Sequence, residues 1–198
     1  RHLEGQTPMA PATVAATLWE VIKDRDWRLV HGTLQGWARR LWEWTEPRQY
    51  LGGSGGAGVG YAVGASLGAA LADKGSGRLC IDLQPDGDLL ACTSALWTAA
   101  HHQIPLLMVM HNNRSLYNSE EHGEQVARIR GRPVANAGIG TRLDAPPVDF
   151  ATVARGFGIY AEGPVEDAHA LRPALERALK VVAEEGRAAL VDVVAQPR

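Results

Sequence analysis

The chain has 198 residues, 20 Lys+Arg against 22 Asp+Glu for a net charge of −2, and 45% hydrophobic residues. That is room for one good-sized domain with a substantial apolar core, and the balance excludes wholesale disorder and a membrane-spanning bundle. No basic cluster interleaves with aromatics, so nucleic acid is not an expected partner.

Residues 1–11 are polar, with prolines at 8 and 11, and read as a linker from an upstream domain; the domain proper is expected over 12–198. Thr13 is placed to cap a helix whose Val14, Leu18, Val21 and Ile22 share one face. Arg28-Leu29-Val30 reads as a short buried strand, followed by a helix carrying Trp37, Leu41 and Trp44. Trp37, Trp42 and Trp44 suggest a buried contact with another domain or subunit.

Eight of the 22 glycines fall between Gly52 and Gly68, inside a stretch of 23 residues from Tyr50 to Ala72 without a charge. A membrane span is rejected, because Gly52 to Gly56 is too flexible and the apolar positions from Val59 fall short of the ~20 a span needs. No signal peptide is visible, and Cys80 and Cys92 lack metal-ligand spacing, which suits reduced thiols of a cytoplasmic protein.

From Leu79 the pattern alternates: strand Leu79 to Leu83, helix Leu89 to His102, strand Leu106 to Met110, and a polar loop from Asn112. After an irregular segment with Pro133, Pro146 and Pro147, Asp149 caps a helix, Ile159-Tyr160-Ala161 forms a strand, and Leu171 to Glu184 a helix. Ala189 to Val194 forms the last strand. The expected fold is α/β: a doubly wound, mostly parallel sheet with helices on both faces, three layers in all.

In such a sheet, ligands bind beyond the carboxyl ends of the strands, which selects His31-Gly32-Thr33-Leu34-Gln35, Gln84-Pro85-Asp86-Gly87-Asp88 and His111-Asn112-Asn113-Arg114-Ser115. Asp86 and Asn113 follow consecutive strands, so both reach one sheet edge and can share a cation, with the Ser115 carbonyl as a third oxygen. An all-oxygen set of this kind suits Mg²⁺ or Ca²⁺, and Mg²⁺ completes its shell with water and substrate phosphates. A phosphate is further favoured by free N–H groups where Gly87 opens a helix, so the deduced ligand is a metal-bridged diphosphate.

Asp86-Gly87, with Asn112-Asn113 one crossover later, resembles the thiamin diphosphate motif Gly-Asp-Gly … Asn-Asn. Together with Ser94 to Ala100 and Gly52 to Tyr61, it is similar to the C-terminal diphosphate-binding domain of the thiamin-dependent decarboxylase and acetolactate synthase-like family, benzoylformate decarboxylases included. The resemblance runs over nearly the whole chain from Pro8. It implies thiamin diphosphate and Mg²⁺ as cofactors, with Asp86, Asn113 and the Ser115 carbonyl as metal ligands. Thr33, Leu34, Gly87 and Asp88 would contact the diphosphate, and Gly58, Leu116 and Tyr117 would complete the cofactor site. Val59 would sit under the thiazolium and the Ala57 carbonyl would accept from the aminopyrimidine. The glycines then let backbone approach a flat cofactor, while Gly60, Gly64 and Gly68 would give the following helix a flat packing face.

Two positions depart from the motif: Pro85 replaces its first glycine, and the carboxylate of Asp88 replaces a small residue close to phosphate, so it must turn away, cap a helix or be offset by the metal. The resemblance also implies 2-oxo acid decarboxylation or carboligation, and a pyrimidine-binding domain, upstream or in a separate subunit, that brings the activating glutamate. The whole enzyme would be a homodimer or tetramer. Glu120, Glu121 and His122, in the mobile loop expected after Asn118, read as a solvated charged turn or, alternatively, as substrate-side acid or base groups; His101 and His102 sit at a helix end, capping it or facing solvent. Two other classes stay open. Gly53, Gly55 and Gly58 fit the dinucleotide-binding spacing of an oxidoreductase, though no buried strand precedes them, and Pro85 with Asp88 would suit a non-catalytic structural subunit.

Overall fold

A computed structural model of the chain describes residues 6–33, 36–53, 56 and 58–197. Five strands, β1 (Trp27–His31), β2 (Leu79–Pro85), β3 (Leu106–Asn112), β4 (Tyr160–Val165) and β5 (Ala189–Val194), form one parallel sheet in the order β1-β2-β3-β5-β4. The central strands β2, β3 and β5 are buried almost throughout, as strands covered on both faces must be.

The described residues form eight α-helices: α1 (Pro11–Ile22), α2 (Trp37–Leu41), α3 (Tyr61–Ala72), α4 (Asp86–Ala91), α5 (Ala95–His101), α6 (Tyr117–Ile129), α7 (Phe150–Gly156) and α8 (Ala168–Glu185). One core joins α1 and α8 to Ile81, Leu83, Leu107, Val109, Val191 and Val193; the other joins α3, α5 and α7 to Cys80, Met108, Met110 and Leu190. Alternate residues of each strand therefore feed opposite cores, which gives the expected three layers.

Several local expectations are corrected. Helix α1 starts at Pro11, whose fixed φ suits a first helical turn, so Thr13 lies inside the helix and the cap residue is Ala10. Met9 and Ala10, within the segment read as linker, are buried, and Met9 exchanges backbone hydrogen bonds with Val194 and Gln196. Helix α2 ends at Leu41 and leaves Trp44 outside. Trp19, Trp27, Trp42, Trp44 and Tyr50 pack on one another within this chain at 5.1–6.0 Å between ring centres, and the Trp42 indole donates to the Ala15 carbonyl at 2.9 Å.

The helix expected from Leu89 to His102 is two short helices broken at Cys92, and residues 117–129, expected as a loop, form α6. Asp149 caps α7 as expected, accepting from the Thr152 N–H at 2.7 Å. No helix among the described residues is long and apolar enough to cross a membrane. Cys80 and Cys92 are unpaired.

Candidate functional site

β2 and β3 run side by side with Pro85 opposite His111, so the turns that leave them meet at one sheet edge. Asp86 opens α4 directly from the end of β2 and is buried. Its Oδ1 accepts from the Gly87 N–H at 2.7 Å and its Oδ2 from the Ser115 N–H at 3.3 Å. The same Ser115 N–H donates to Asn113 Oδ1 at 2.9 Å, so the Asp86 and Asn113 oxygens converge on one point. Arg114, at φ +58, supplies the left-handed step that folds Ser115 back toward Asp86. Burial pushes the Asp86 carboxyl up to about 6, against the pull of the surrounding backbone N–H groups.

This donor set fits a hard cation. Two side-chain oxygens accept from one backbone N–H, and among the described residues no Lys, Arg or His pairs with Asp86 and no three His, Cys, Asp or Glu cluster as a softer metal would require. The Asn-Asn pair divides its work. Asn113 belongs to the converging set, whereas the Asn112 amide donates to Asp192 at 3.0 Å and to the Val148 carbonyl at 3.2 Å, tying β3 to β5. His111, likewise buried, is bound at 2.7 Å to the Gln196 carbonyl.

Leu116 packs tightly on Gly87: a Cβ there would lie 2.1 Å from Leu116 Cδ2, so a larger residue would have to push that side chain aside. Leu116 thus closes over the α4 turn beside Asp86. Tyr117 begins α6 directly after it.

Asp88 does turn away, and it caps a helix, but not its own. Its Oδ1 accepts from the Gly60 N–H at 2.5 Å and its Oδ2 from the Ala62 N–H at 3.0 Å, which satisfies the first turn of α3. Gly60 takes φ +91 there, and a Cβ would meet the Cys92 sulfur at 2.6 Å. Further along the helix, Gly64 and Gly68 meet no other part of this domain among the described residues. Val59, at 64% exposure, and Gly58 lie in the turn before α3; Thr33 is half-buried beyond β1. Leu34 and Ala57 lie outside the described residues.

Glu120, one of the substrate-side candidates, is buried, with Oε2 accepting from the Ser115 hydroxyl at 2.6 Å and Oε1 from Arg142 at 3.0 Å. Those bonds hold its carboxyl below the ordinary range, the Ser115 hydroxyl contributing most. Glu121 is half-buried and His122 exposed on the same helix, and His101 stacks on Trp97 at 4.5 Å.

Asp82, outside the sequence-derived candidates, is fully buried on β2 opposite His31, 3.7 Å from that ring. Burial raises the Asp82 carboxyl to about 8 and lowers the His31 ring, so both shifts favour neutral partners over an ion pair. A charged residue at an inward strand position between apolar neighbours was the available signal.

Residues 31–193 match the family model for the thiamine pyrophosphate enzyme, C-terminal TPP binding domain. The chain belongs to that family. It is 30% identical over 193 residues to benzoylformate decarboxylase of Pseudomonas aeruginosa, covering 96% of this chain and 33% of that protein. It is 32% identical over 136 residues to a probable chloroplastic acetolactate synthase 2 of rice, Oryza sativa subsp. japonica, covering 66% of this chain and 20% of that one. The crystal structure of benzoylformate decarboxylase from Polynucleobacter necessarius superposes on 98% of the chain and 34% of its own length, with a TM-score of 0.79 at 19% identity, a likeness of fold. The chain therefore spans about a third or less of these relatives' lengths. As a thiamin diphosphate-binding domain it answers the dinucleotide alternative: Gly53 and Gly58 are preceded by a 3₁₀ turn (Pro47–Gln49), not by a strand.

Proposed function

We propose that this domain holds the diphosphate of thiamin diphosphate through Mg²⁺ bound by Asp86, Asn113 and the Ser115 carbonyl, as part of a 2-oxo acid decarboxylase or carboligase. The convergence of Asp86 Oδ2 and Asn113 Oδ1 on the Ser115 N–H carries the reading. The Gly87 N–H, released as Asp86 Oδ1 turns to the metal, and the Asp88 N–H would be offered to the diphosphate, with Thr33 and Leu34 beyond β1 on the far side, while Leu116 and Tyr117 would wall the site. Gly58 and Val59 would support the thiazolium, and the Ala57 carbonyl would take the aminopyrimidine N–H. When bound, thiamin diphosphate supplies a carbon nucleophile and an electron sink for cleaving or forming a bond to a carbonyl carbon. The protein's part is to orient it and exclude water. Asp88, committed to α3, leaves the diphosphate free of a competing carboxylate, which favours cofactor binding over a purely structural role.

The remainder of the enzyme would supply a pyrimidine-binding domain with the activating glutamate, in a homodimer or tetramer, and the 2-oxo acid would enter between the domains. The exposed Tyr61 and Leu71 of α3, with Val59 in the turn before it, support a partner surface there. Residues 1–11 would lead in from the upstream domain, anchored through Met9, to the domain over 12–198. Two unpaired thiols suit a cytoplasmic setting. The test is thiamin diphosphate retention by the intact enzyme with Mg²⁺ and with a chelator: retention that needs the metal and is lost in Asn113→Ala supports the reading, and retention unchanged by both refutes it.

A further inference from the structure

Helix α6 is attached to the molecule through polar groups. Glu120 is its buried residue, none of its side chains belongs to either core, and Ile129 at its end is 84% exposed. A buried carboxylate is costly unless bonded, and both Glu120 oxygens are bonded, to the Ser115 hydroxyl and to Arg142. The Arg142 side chain passes so close to Gly138 that a Cβ there would lie 2.3 Å from its Nε.

Residues 141–143 run antiparallel along 114–116. The Leu116 N–H donates to the Thr141 carbonyl at 2.8 Å, and the Leu143 N–H to the Arg114 carbonyl at 2.7 Å. Ser115 is consequently fixed by its N–H, its hydroxyl and both flanking residues, and among the described residues no backbone N–H claims its carbonyl.

We infer that Glu120 is a positioning residue that, braced by Arg142, holds Ser115 so that its carbonyl sits at a fixed distance from the Asp86–Asn113 pair, and thereby sets a preference for Mg²⁺ over Ca²⁺. The inference rests on the metal-site reading above. Mg²⁺ requires near-ideal octahedral contacts at ~2.0–2.1 Å, while Ca²⁺ accepts ~2.3–2.6 Å in flexible shells. Loosening the brace therefore harms Mg²⁺ binding more than Ca²⁺ binding.

The experiment measures, in the intact enzyme, the Mg²⁺ and the Ca²⁺ concentrations for half-maximal thiamin diphosphate retention. Glu120→Ala and Ser115→Ala, the latter keeping the carbonyl, should each raise the Mg²⁺ requirement about tenfold, as loss of an outer-shell partner typically does. The Ca²⁺ requirement should move much less, and the double variant should be no worse than Glu120→Ala, because the Ser115–Glu120 bond is already broken in each single variant. An unchanged Mg²⁺ requirement, or equal factors for both ions, overturns the inference. Should Glu120→Ala not fold, Ser115→Ala carries the same test. Asp86→Ala keeps the two readings apart: metal-dependent retention surviving in that variant refutes the site itself, whatever Glu120 does.

Discussion

The Asp88 carboxylate, at the end of the candidate diphosphate loop, bonds the Gly60 and Ala62 N–H groups at 2.5 and 3.0 Å and so joins that loop to the start of helix α3. This side chain does the work of an N-cap from a distance of 28 residues along the chain. Asp88→Ala should cost about 1–2 kcal/mol, the usual worth of a lost cap, with Asp88→Asn losing less. Equilibrium unfolding in denaturant checks it; an Ala variant as stable as the parent contradicts the capping role.

Gly87 and Leu116 are a second such pair. A methyl group at Gly87 collides with the far end of the Leu116 side chain at 2.1 Å, so Gly87→Ala should displace Leu116 and weaken thiamin diphosphate retention. Leu116→Ala in the same molecule should restore part of it. The paired variants, compared by cofactor titration, decide between this steric account and a direct role for the missing Cβ space, which the second substitution would not repair.

These two pairs show what the sequence could and could not disclose. Strand-end placement of Asp86 and Asn113 was legible, because period, crossover length and sheet geometry fix where such residues emerge. The destination of Asp88 was not, since three physically sound outcomes were open and only the position of α3 chose one. Helix α6 escaped notice because its inner face is built on Glu120 and not on an apolar stripe. The break at Cys92 and the tryptophan cluster had the same cause, tertiary packing that no local pattern carries.

Buried Asp82 gives the domain a pH dependence. In the unfolded chain its carboxyl titrates near 3.8, in the folded one near 8, so between about pH 4 and 8 the native state keeps a proton that the unfolded state has released. Stability contributed by this group therefore declines as pH rises through that window, and the whole penalty is present above it. Asp82→Asn should flatten the decline and be more stable than the parent above about pH 8. Denaturant midpoints across this range check it; parallel profiles for parent and variant would contradict it.

The exposed α3 face supplies another test. Placing a charge at Gly64, which meets open space in this domain, should leave the domain's own stability nearly unchanged. Gly64→Glu should nevertheless weaken assembly of the intact enzyme, seen as a lower molecular mass in analytical ultracentrifugation. An assembly that tolerates this charge would contradict a partner surface on α3.

The central claim is that Asp86 and Asn113 hold a metal-bridged diphosphate. Calorimetric titration of the intact enzyme with thiamin diphosphate in Mg²⁺, for the parent, Asp86→Ala and Asn113→Ala, tests it most directly. The account predicts binding by the parent, its loss in both variants, and unfolding transitions that stay cooperative in all three. Equal affinity in the parent and either variant would contradict it.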